Sequence, residues 1–442
     1  MKKIIALAGL AVLATNTAEA SKARLLALGE NLETAGSLYF SDNRNIFQNA
    51  AYIHEYKDGI YMEWGSQGTE FNSNYTVPGS NGNLANKYDS DTNPQAEGGF
   101  LKSHGKYVYG LYLGAESYIT HEARNYLRLT NSANIHQDNQ IDLFFGAAES
   151  EDFKWGVNVT YSNTKEDSND SKQKSASIRL GVMGKKWEGY ANVAVMNEAE
   201  TADITGFGAT GFTTGTGKDK FEGKRGWELG GSYDLGFAKA FGYWRHGVWE
   251  QDVDSASFVI VGTDPVPTGA LYQGKSEFDT NRIRVGLGRE AQLTDRTTLF
   301  TKLEYVMTKR EVEGKGAVKG TANIDDYYVP LTIGLEHDAT SWLTLRGSVT
   351  QYLVSEQDND YGKLNDTPGT ISGLVTAKYQ PGKRSFQNST NVNAGLTLKF
   401  GDLAIDGVIG TSSAGNIVDT KSENGVFSLD NLASRVAMTY RF

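Results

Sequence analysis

From about residue 58 onward, stretches of roughly eight to twelve residues place an apolar side chain at every second position. Side chains alternate between the two faces of a strand, so this period describes half-buried β-strands and not helices. Phe153, Trp155, Val157, Val159 and Tyr161 alternate with Lys154, Gly156, Asn158, Thr160 and Ser162. Ala176, Ile178, Leu180 and Val182 alternate with Ser175, Ser177, Arg179 and Gly181, and Ile283, Val285 and Leu287 with Arg282, Arg284 and Gly286. Val392, Ala394, Leu396, Leu398 and Phe400 oppose Asn393, Gly395, Thr397 and Lys399. Such strands form either two packed sheets or one sheet that closes on itself with its apolar side in lipid. No stretch reaches the twenty or so apolar residues that a membrane helix needs, so a membrane protein made from this chain crosses with strands.

The connections favour the closed sheet. Compact turns at 103–106, 149–152, 184–186, 235–237, 290–296, 336–341 and 400–402 lie between long polar segments at 67–96, 116–139, 163–174, 197–224, 252–279, 311–325, 356–388 and 413–430. Short turns on one rim and long loops on the other predict an all-β, antiparallel up-and-down transmembrane barrel of about sixteen strands, both termini on the short-turn, periplasmic side. The chain ends Leu432-Ala-Ser-Arg-Val-Ala-Met-Thr-Tyr-Arg-Phe442, with Leu432, Val436, Met438, Tyr440 and Phe442 on one face and Ala433, Arg435, Ala437, Thr439 and Arg441 on the other. Trp155, Trp187 and Trp342 follow short turns, where an aromatic girdle would sit, and Trp227 falls near the opposite rim; with Tyr440 and Phe442 these are the predicted membrane-interface residues. Six of seven prolines fall in the long connections and only Pro330 enters a strand, near its loop end.

Lys2 and Lys3, the apolar run Ile4 to Ala14 and Ala18-Glu19-Ala20 form a secretory leader over residues 1–20 with a cleavage site after Ala20. Residues 21–57 form an amino-terminal arm or lumenal plug and 58–442 the barrel. Within 21–57, Ile46, Phe47, Ala50 and Ile53 recur at helical spacing, which fits either a short amphipathic helix inside the barrel or an extended arm below it. The absence of cysteine excludes a disulfide scaffold and thiolate metal sites. The formal charge of −10 becomes −11 once two lysines and one glutamate leave with the leader, which argues against a nucleic-acid partner.

Gly269-Ala-Leu-Tyr-Gln-Gly-Lys-Ser276 matches a phosphate-loop pattern and Gly206-Phe-Gly-Ala-Thr-Gly211 a dinucleotide fingerprint, but neither has the strand and helix that the chemistry requires. The six histidines form no metal-binding pair and no serine lies in a nucleophile motif, so neither an enzyme nor a cofactor is expected. Asp358-Asn-Asp-Tyr-Gly362 reads as a solvated acidic loop.

Alternation turns Arg179, Lys239, Arg245, Arg282, Arg284, Arg346, Lys399 and Arg435 into the lumen, with Glu188, Glu228, Asp234 and Glu304. With the basic residues concentrated late in strand order, they predict a positive wall facing an acidic one around a water-filled pore for passive diffusion of small hydrophilic solutes and ions. The alternatives are a plugged barrel that takes up a hydrophobic ligand, and a structural barrel with no open pore.

The carboxy-terminal Tyr440-Arg-Phe442 resembles the signal by which outer-membrane barrels are recognised for insertion, and the layout is similar to that of sixteen-stranded bacterial porins. This resemblance implies the outer membrane of a Gram-negative bacterium, contact with its lipid and lipopolysaccharide, recognition by the barrel-assembly machinery, and a size compatible with a homotrimer. Phe40-Ser-Asp-Asn-Arg-Asn-Ile-Phe-Gln-Asn-Ala-Ala-Tyr-Ile53, followed by Tyr61-Met-Glu-Trp-Gly65, resembles the start of major outer-membrane proteins of predatory bacteria. The same stretch is similar to the plug of long-chain fatty-acid transporters, although Asn49-Ala50-Ala51 lacks that plug's proline. General porins carry a long, inward-folded third loop; here the third connection, 163–174, is short and charged, which puts an inward fold in doubt.

Overall fold

The structure, a computed structural model, describes residues 21–30, 36–65, 95–115, 140–166, 171–201, 212–213, 217–255, 258–261, 264–267, 274–315, 320–360, 382–385, 390–414 and 435–442. The leader, the segment 206–211, residues 269–273 of the phosphate-loop match and residues 361–362 lie outside them.

Sixteen antiparallel strands close into a barrel: β1 (Gly59–Gly65), β2 (Gln95–His104), β3 (Tyr107–Leu113), β4 (Ile141–Ser150), β5 (Phe153–Glu166), β6 (Ser171–Gly184), β7 (Trp187–Thr201), β8 (Gly217–Asp234), β9 (Lys239–Ser255), β10 (Gly274–Thr294), β11 (Thr297–Lys315), β12 (Gly320–Asp338), β13 (Leu343–Asp360), β14 (Thr390–Phe400), β15 (Leu403–Ala414) and β16 (Arg435–Arg441). The seam joins first strand to last, from Gly59 opposite Arg441 to Gly65 opposite Arg435. Asp58 fastens its lower end: its carbonyl accepts the Phe442 N–H at 3.1 Å and its carboxylate accepts the Ser103 hydroxyl at 2.6 Å. The Ser103 hydroxyl and the Lys102 ammonium hold the Asp58 carboxyl down at about 2. Gly382–Ser385 pairs with the far end of β13, and Phe212–Thr213, Phe258–Val261 and Asp264–Pro267 form a separate three-stranded sheet.

The two faces of the wall separate as the alternation requires. Leu143, Val159, Leu180, Val285, Leu287, Ile333 and Val349 point outward and are exposed, whereas Asn158, Thr160, Ser162, Thr344 and Thr397 point inward and are buried. A monomeric soluble protein does not surround itself with a continuous apolar belt; lipid removes that surface from water. No helix of the described residues is long and apolar enough to cross a membrane.

Several predicted connections are strand. Of the segments expected as connections, residues 163–166, 171–174, 197–201, 217–224, 252–255, 274–279, 311–315 and 320–325 belong to β5 to β12, whose ladders continue beyond the apolar belt. There the outward face carries ion pairs, such as Lys275–Glu250 at 3.0 Å and Lys172–Glu200 at 3.2 Å. With water on the outside and polar groups within, hydrophobic alternation disappears while hydrogen-bond pairing continues. Pro330 lies mid-strand in β12, at a register shift between Val329 and Pro330 where the ladder does not need its missing donor.

The belt yields a direct expectation. Leu180→Arg, near its middle, should destabilise the barrel in lipid vesicles by about 2–4 kcal/mol in equilibrium urea unfolding, whereas Asn281→Arg, on the outward face above the belt, should change stability by less than about 1 kcal/mol.

Candidate functional site

Residues 21–30 and 36–57 lie inside the barrel. Their contacts go around the whole wall, which only an object in the lumen can achieve: Lys22 and Arg44 reach Glu97 on β2, Gln48 and Asn49 reach Tyr190 and Glu188 on β7, Glu30 reaches Arg284 and Lys302 on β10 and β11, and Arg24 reaches Glu336 on β12. One α-helix, α1 (Lys22–Ala27), opens the segment, its backbone capped by the Ser21 hydroxyl. In place of the helix expected around Ile46 to Ile53 stand two 3-10 turns, Asn43–Phe47 and Ala50–His54. Asp42 and Asn49 each cap a new turn with their own side chain, so the chain restarts after seven residues and never accumulates a full α-helix.

The wall is carved to receive these turns. Gly146 on β4, Gly156 on β5 and Gly181 on β6 are in register across neighbouring strands and face inward. A Cβ at Gly156 or Gly181 would overlap the backbone of Ala50 or the side chain of Asn49, and one at Gly146 would lie 2.9 Å from Ile53. Across the lumen, a Cβ at Gly395 would lie 2.7 Å from that of Ala27. Ile46, Phe47, Tyr52 and Ile53 pack with Tyr61, Leu101, Tyr112 and Phe144, while Leu25, Leu28, Tyr39 and Phe40 pack with Tyr190, Phe241, Tyr243 and Phe300.

Charges complete the fit, and they sit in pairs. Arg179 contacts Asp142 at 2.8 Å and Asn158 at 2.6 Å; Arg245 contacts Glu228 at 2.6 Å; Arg282 donates to the Tyr328 hydroxyl at 2.9 Å. Glu304 pairs with Arg284 and, at 3.1 Å, with Lys302; Glu30 adds contacts of 3.3 Å to Arg284 and 3.0 Å to Lys302, closing a buried quartet. Glu188 accepts from Ser232 at 2.5 Å and Asn49 at 3.2 Å, with Lys239 at 3.9 Å. Arg346 bridges Glu336 and, at 2.8 Å, Asp406.

In place of a positive wall facing an acidic one, Arg179, Arg245, Arg284 and Arg346 each meet a carboxylate on a nearby strand or on the inner segment, because buried charges are stable only when paired. Asp234 is the exposed last residue of β8, opposite Lys239 at the short-turn rim, where it accepts the Gly236 N–H at 2.7 Å. Lys399 lies at the short-turn rim with Asp338 at 3.1 Å. Arg435 stands opposite Gly65 on β16, and its side chain lies outside the described residues. Trp155, Trp187, Trp342, Tyr440 and Phe442 sit on the outward face at the short-turn rim. Trp227 also faces outward, edge-on to Trp244 with ring centroids 4.2 Å apart.

Alternation had placed neither Trp249 nor the partners Glu30, Asp42, Glu63, Glu97, Asp142, Glu336 and Asp406. Trp249 turns into the lumen with Phe221, Phe278 and Val312, forming an apolar band at the long-connection end. A second apolar feature lies in the wall. Across β1 to β4, a cleft of about 1100 Å³ is bordered by the outward Ile60, Trp64, Phe100 and Leu113 and by the inward Glu63 and Glu97. It touches both faces of the sheet.

Burial pushes the Asp42 carboxyl up to about 7, although Arg24 at 3.2 Å opposes the shift, and burial lowers the His54 imidazole. A carboxyl whose seated pKa exceeds its free value of about 3.9 favours seating at low pH and loses that contribution as pH rises through 7. His54 acts in the opposite direction, and only as pH falls through its free value of about 6.5. Between pH 8.5 and 6.5 Asp42 dominates, so acidification should seat residues 21–57 more firmly by about 1 kcal/mol. Hydrogen exchange of this segment, corrected for intrinsic rates, should slow accordingly, and Asp42→Asn should remove the dependence.

No protein-family profile matches the chain, including any that would bear on the amino-terminal resemblance to major outer-membrane proteins of predatory bacteria, and no curated protein matches it. Among solved structures it is similar to the Ralstonia pickettii toluene transporter TbuX, at 12% identity over 96% of this chain and 99% of that one, with a TM-score of 0.38. It is also similar to the Pseudomonas putida toluene transporter TodX, at 12% identity over 96% and 98% with a TM-score of 0.36, and to OmpT, an outer membrane protein of Vibrio cholerae, at 10% identity over 87% and 95% with a TM-score of 0.30. These neighbours are β-barrels of the outer membrane; at such scores the likeness carries no inference about ligand.

Proposed function

We propose that this chain is an outer-membrane barrel of a Gram-negative bacterium whose lumen is closed at rest by residues 21–57 and which takes up a hydrophobic small molecule. The observation that carries this reading is the filled lumen. A diffusion channel for hydrophilic solutes needs a continuous polar passage, whereas here the inner segment touches the wall on every side and is anchored by buried ion pairs.

Two apolar surfaces support a hydrophobic ligand over a hydrophilic one. Phe221, Trp249, Phe278 and Val312 turn inward at the long-connection end, where a porin vestibule would be polar. The cleft between β1 and β4 brings lipid-facing side chains to the edge of the lumen, so an apolar molecule leaving sideways would meet acyl chains and not water. A purely structural barrel has no use for either surface. The chain acts on no bond in this reading, and no cofactor takes part.

Conductance in planar bilayers, paired with equilibration of an apolar fluorescent probe across vesicles, tests the proposal. The intact protein should show no large ohmic steps yet accelerate the probe. Gly181→Val, which overpacks the groove under Asn49 by about 1–3 kcal/mol, should produce steps without removing any part of the chain. Ala96→Trp, at the cleft, should slow the probe severalfold and leave conductance unchanged. Large steps in the intact protein, with no acceleration of the probe, would return the open-pore reading.

A further inference from the structure

The cleft across β1 to β4 is apolar over most of its border, so the few polar groups that reach it decide which apolar molecules it admits. On its outward side β2 contributes the small residues Ala96 and Gly98. Trp64 stands beside Ala96, and Met62 and Leu113 stand on either side of Gly98, so the floor of the cleft is an apolar trough along β2. Lys102 closes the short-turn end, where its ammonium lies 2.9 Å from Asp58 and 4.7 Å from the centroid of the Phe442 ring.

Toward the lumen the cleft is bordered by Glu63 and Glu97. Their cations, Lys22 and Arg44, come from the inner segment, and neither borders the cleft. Gln140, buried just before β4, lines the same cleft. Its amide nitrogen donates to one Asp142 oxygen at 2.8 Å while Arg179 holds the other at 2.8 Å, so the Gln140 amide is fixed with its nitrogen on the carboxylate. Gln140 Oε1 is left as a buried acceptor with no donor among the described residues, a state that costs free energy until a donor arrives.

We propose that the molecule taken up through this cleft carries a neutral hydroxyl on its apolar body, and that the hydroxyl donates to Gln140 Oε1. A hydrocarbon fills the trough but leaves that oxygen unsatisfied. A carboxylic acid, ionised at neutral pH, brings no donor and meets Glu63 and Glu97, whose like charge repels it strongly in apolar surroundings. An ammonium would compete with Lys22 and Arg44 for the same two carboxylates. An alkanol or a phenol lays its apolar part along β2 and supplies the one donor that is wanted. The inference rests on the uptake reading above and narrows its substrate class.

Equilibrium dialysis of the intact protein in lipid nanodiscs, with empty nanodiscs subtracted, tests it against naphthol, methylnaphthalene and naphthoate substituted at the same ring position, at neutral pH. Naphthol should bind about tenfold tighter than methylnaphthalene, and naphthoate should bind weakest. Gln140→Met, which keeps the length of the side chain but not its acceptor, should bring the ratio of the first two close to one. Ala96→Trp, which fills the trough, should weaken naphthol binding severalfold. A naphthol preference that survives Gln140→Met, undiminished naphthol binding in Ala96→Trp, or tightest binding of naphthoate would overturn the assignment. Equal binding of naphthol and methylnaphthalene by the unaltered protein would overturn it too while leaving hydrophobic uptake in place, whereas binding of none of the three would overturn both.

Discussion

Buried ion pairs between the inner segment and the wall are the constraint on which the rest of this structure depends. Arg24, Glu30 and Arg44 leave water entirely, and each does so against carboxylates or cations that belong to distant strands. Such a pair is stable only while both members remain; losing one strands a charge in a low-dielectric interior at about 3–5 kcal/mol. The segment therefore cannot drift within the lumen by small steps. It is either seated with its charges matched or displaced far enough for water to reach them, which makes it a two-state element.

The wall reflects the same requirement. Gly146, Gly156 and Gly181 give up side chains so that Asn49, Ala50 and Ile53 can approach the strand backbones, and Asn49 then reaches Glu188. Where the inner segment stops, the inward face changes character, to the apolar band of Trp249 and Phe278 toward the long connections. Glu63 on β1 and Glu97 on β2 border the cleft, so this part of the wall also holds anchors of the segment.

Most of the barrel was legible in the sequence because its rule is local. A strand in lipid must alternate, and Val159 against Asn158 or Leu180 against Arg179 announces the belt without knowledge of any neighbour. Legibility ended where the rule no longer applied. Above the belt, Lys275 and Glu250 look like loop residues because water surrounds them, although pairing continues. The inner segment was visible as an anomaly, since Ile46, Phe47 and Ile53 fit no strand, but its seat depends on glycines more than ninety residues away. Inward charges were found by parity, yet their partners were not: nothing near Arg346 in sequence points to Asp406. Asp234 keeps the register of its strand but ends it at the rim, where it is exposed and accepts the Gly236 N–H.

The central claim is that residues 21–30 and 36–57 occupy the lumen in the native protein. The chain contains no cysteine, and Ala27 faces Gly395 closely enough for a disulfide once small backbone adjustments open the 2.7 Å spacing of a hypothetical Cβ pair toward about 3.8 Å. The double variant Ala27→Cys, Gly395→Cys should therefore cross-link in intact outer membranes under mild oxidation, seen as a single new thiol-sensitive species by mass and gel mobility. If both thiols remain free and react with a water-soluble maleimide while the barrel is folded, the lumen is not filled as described.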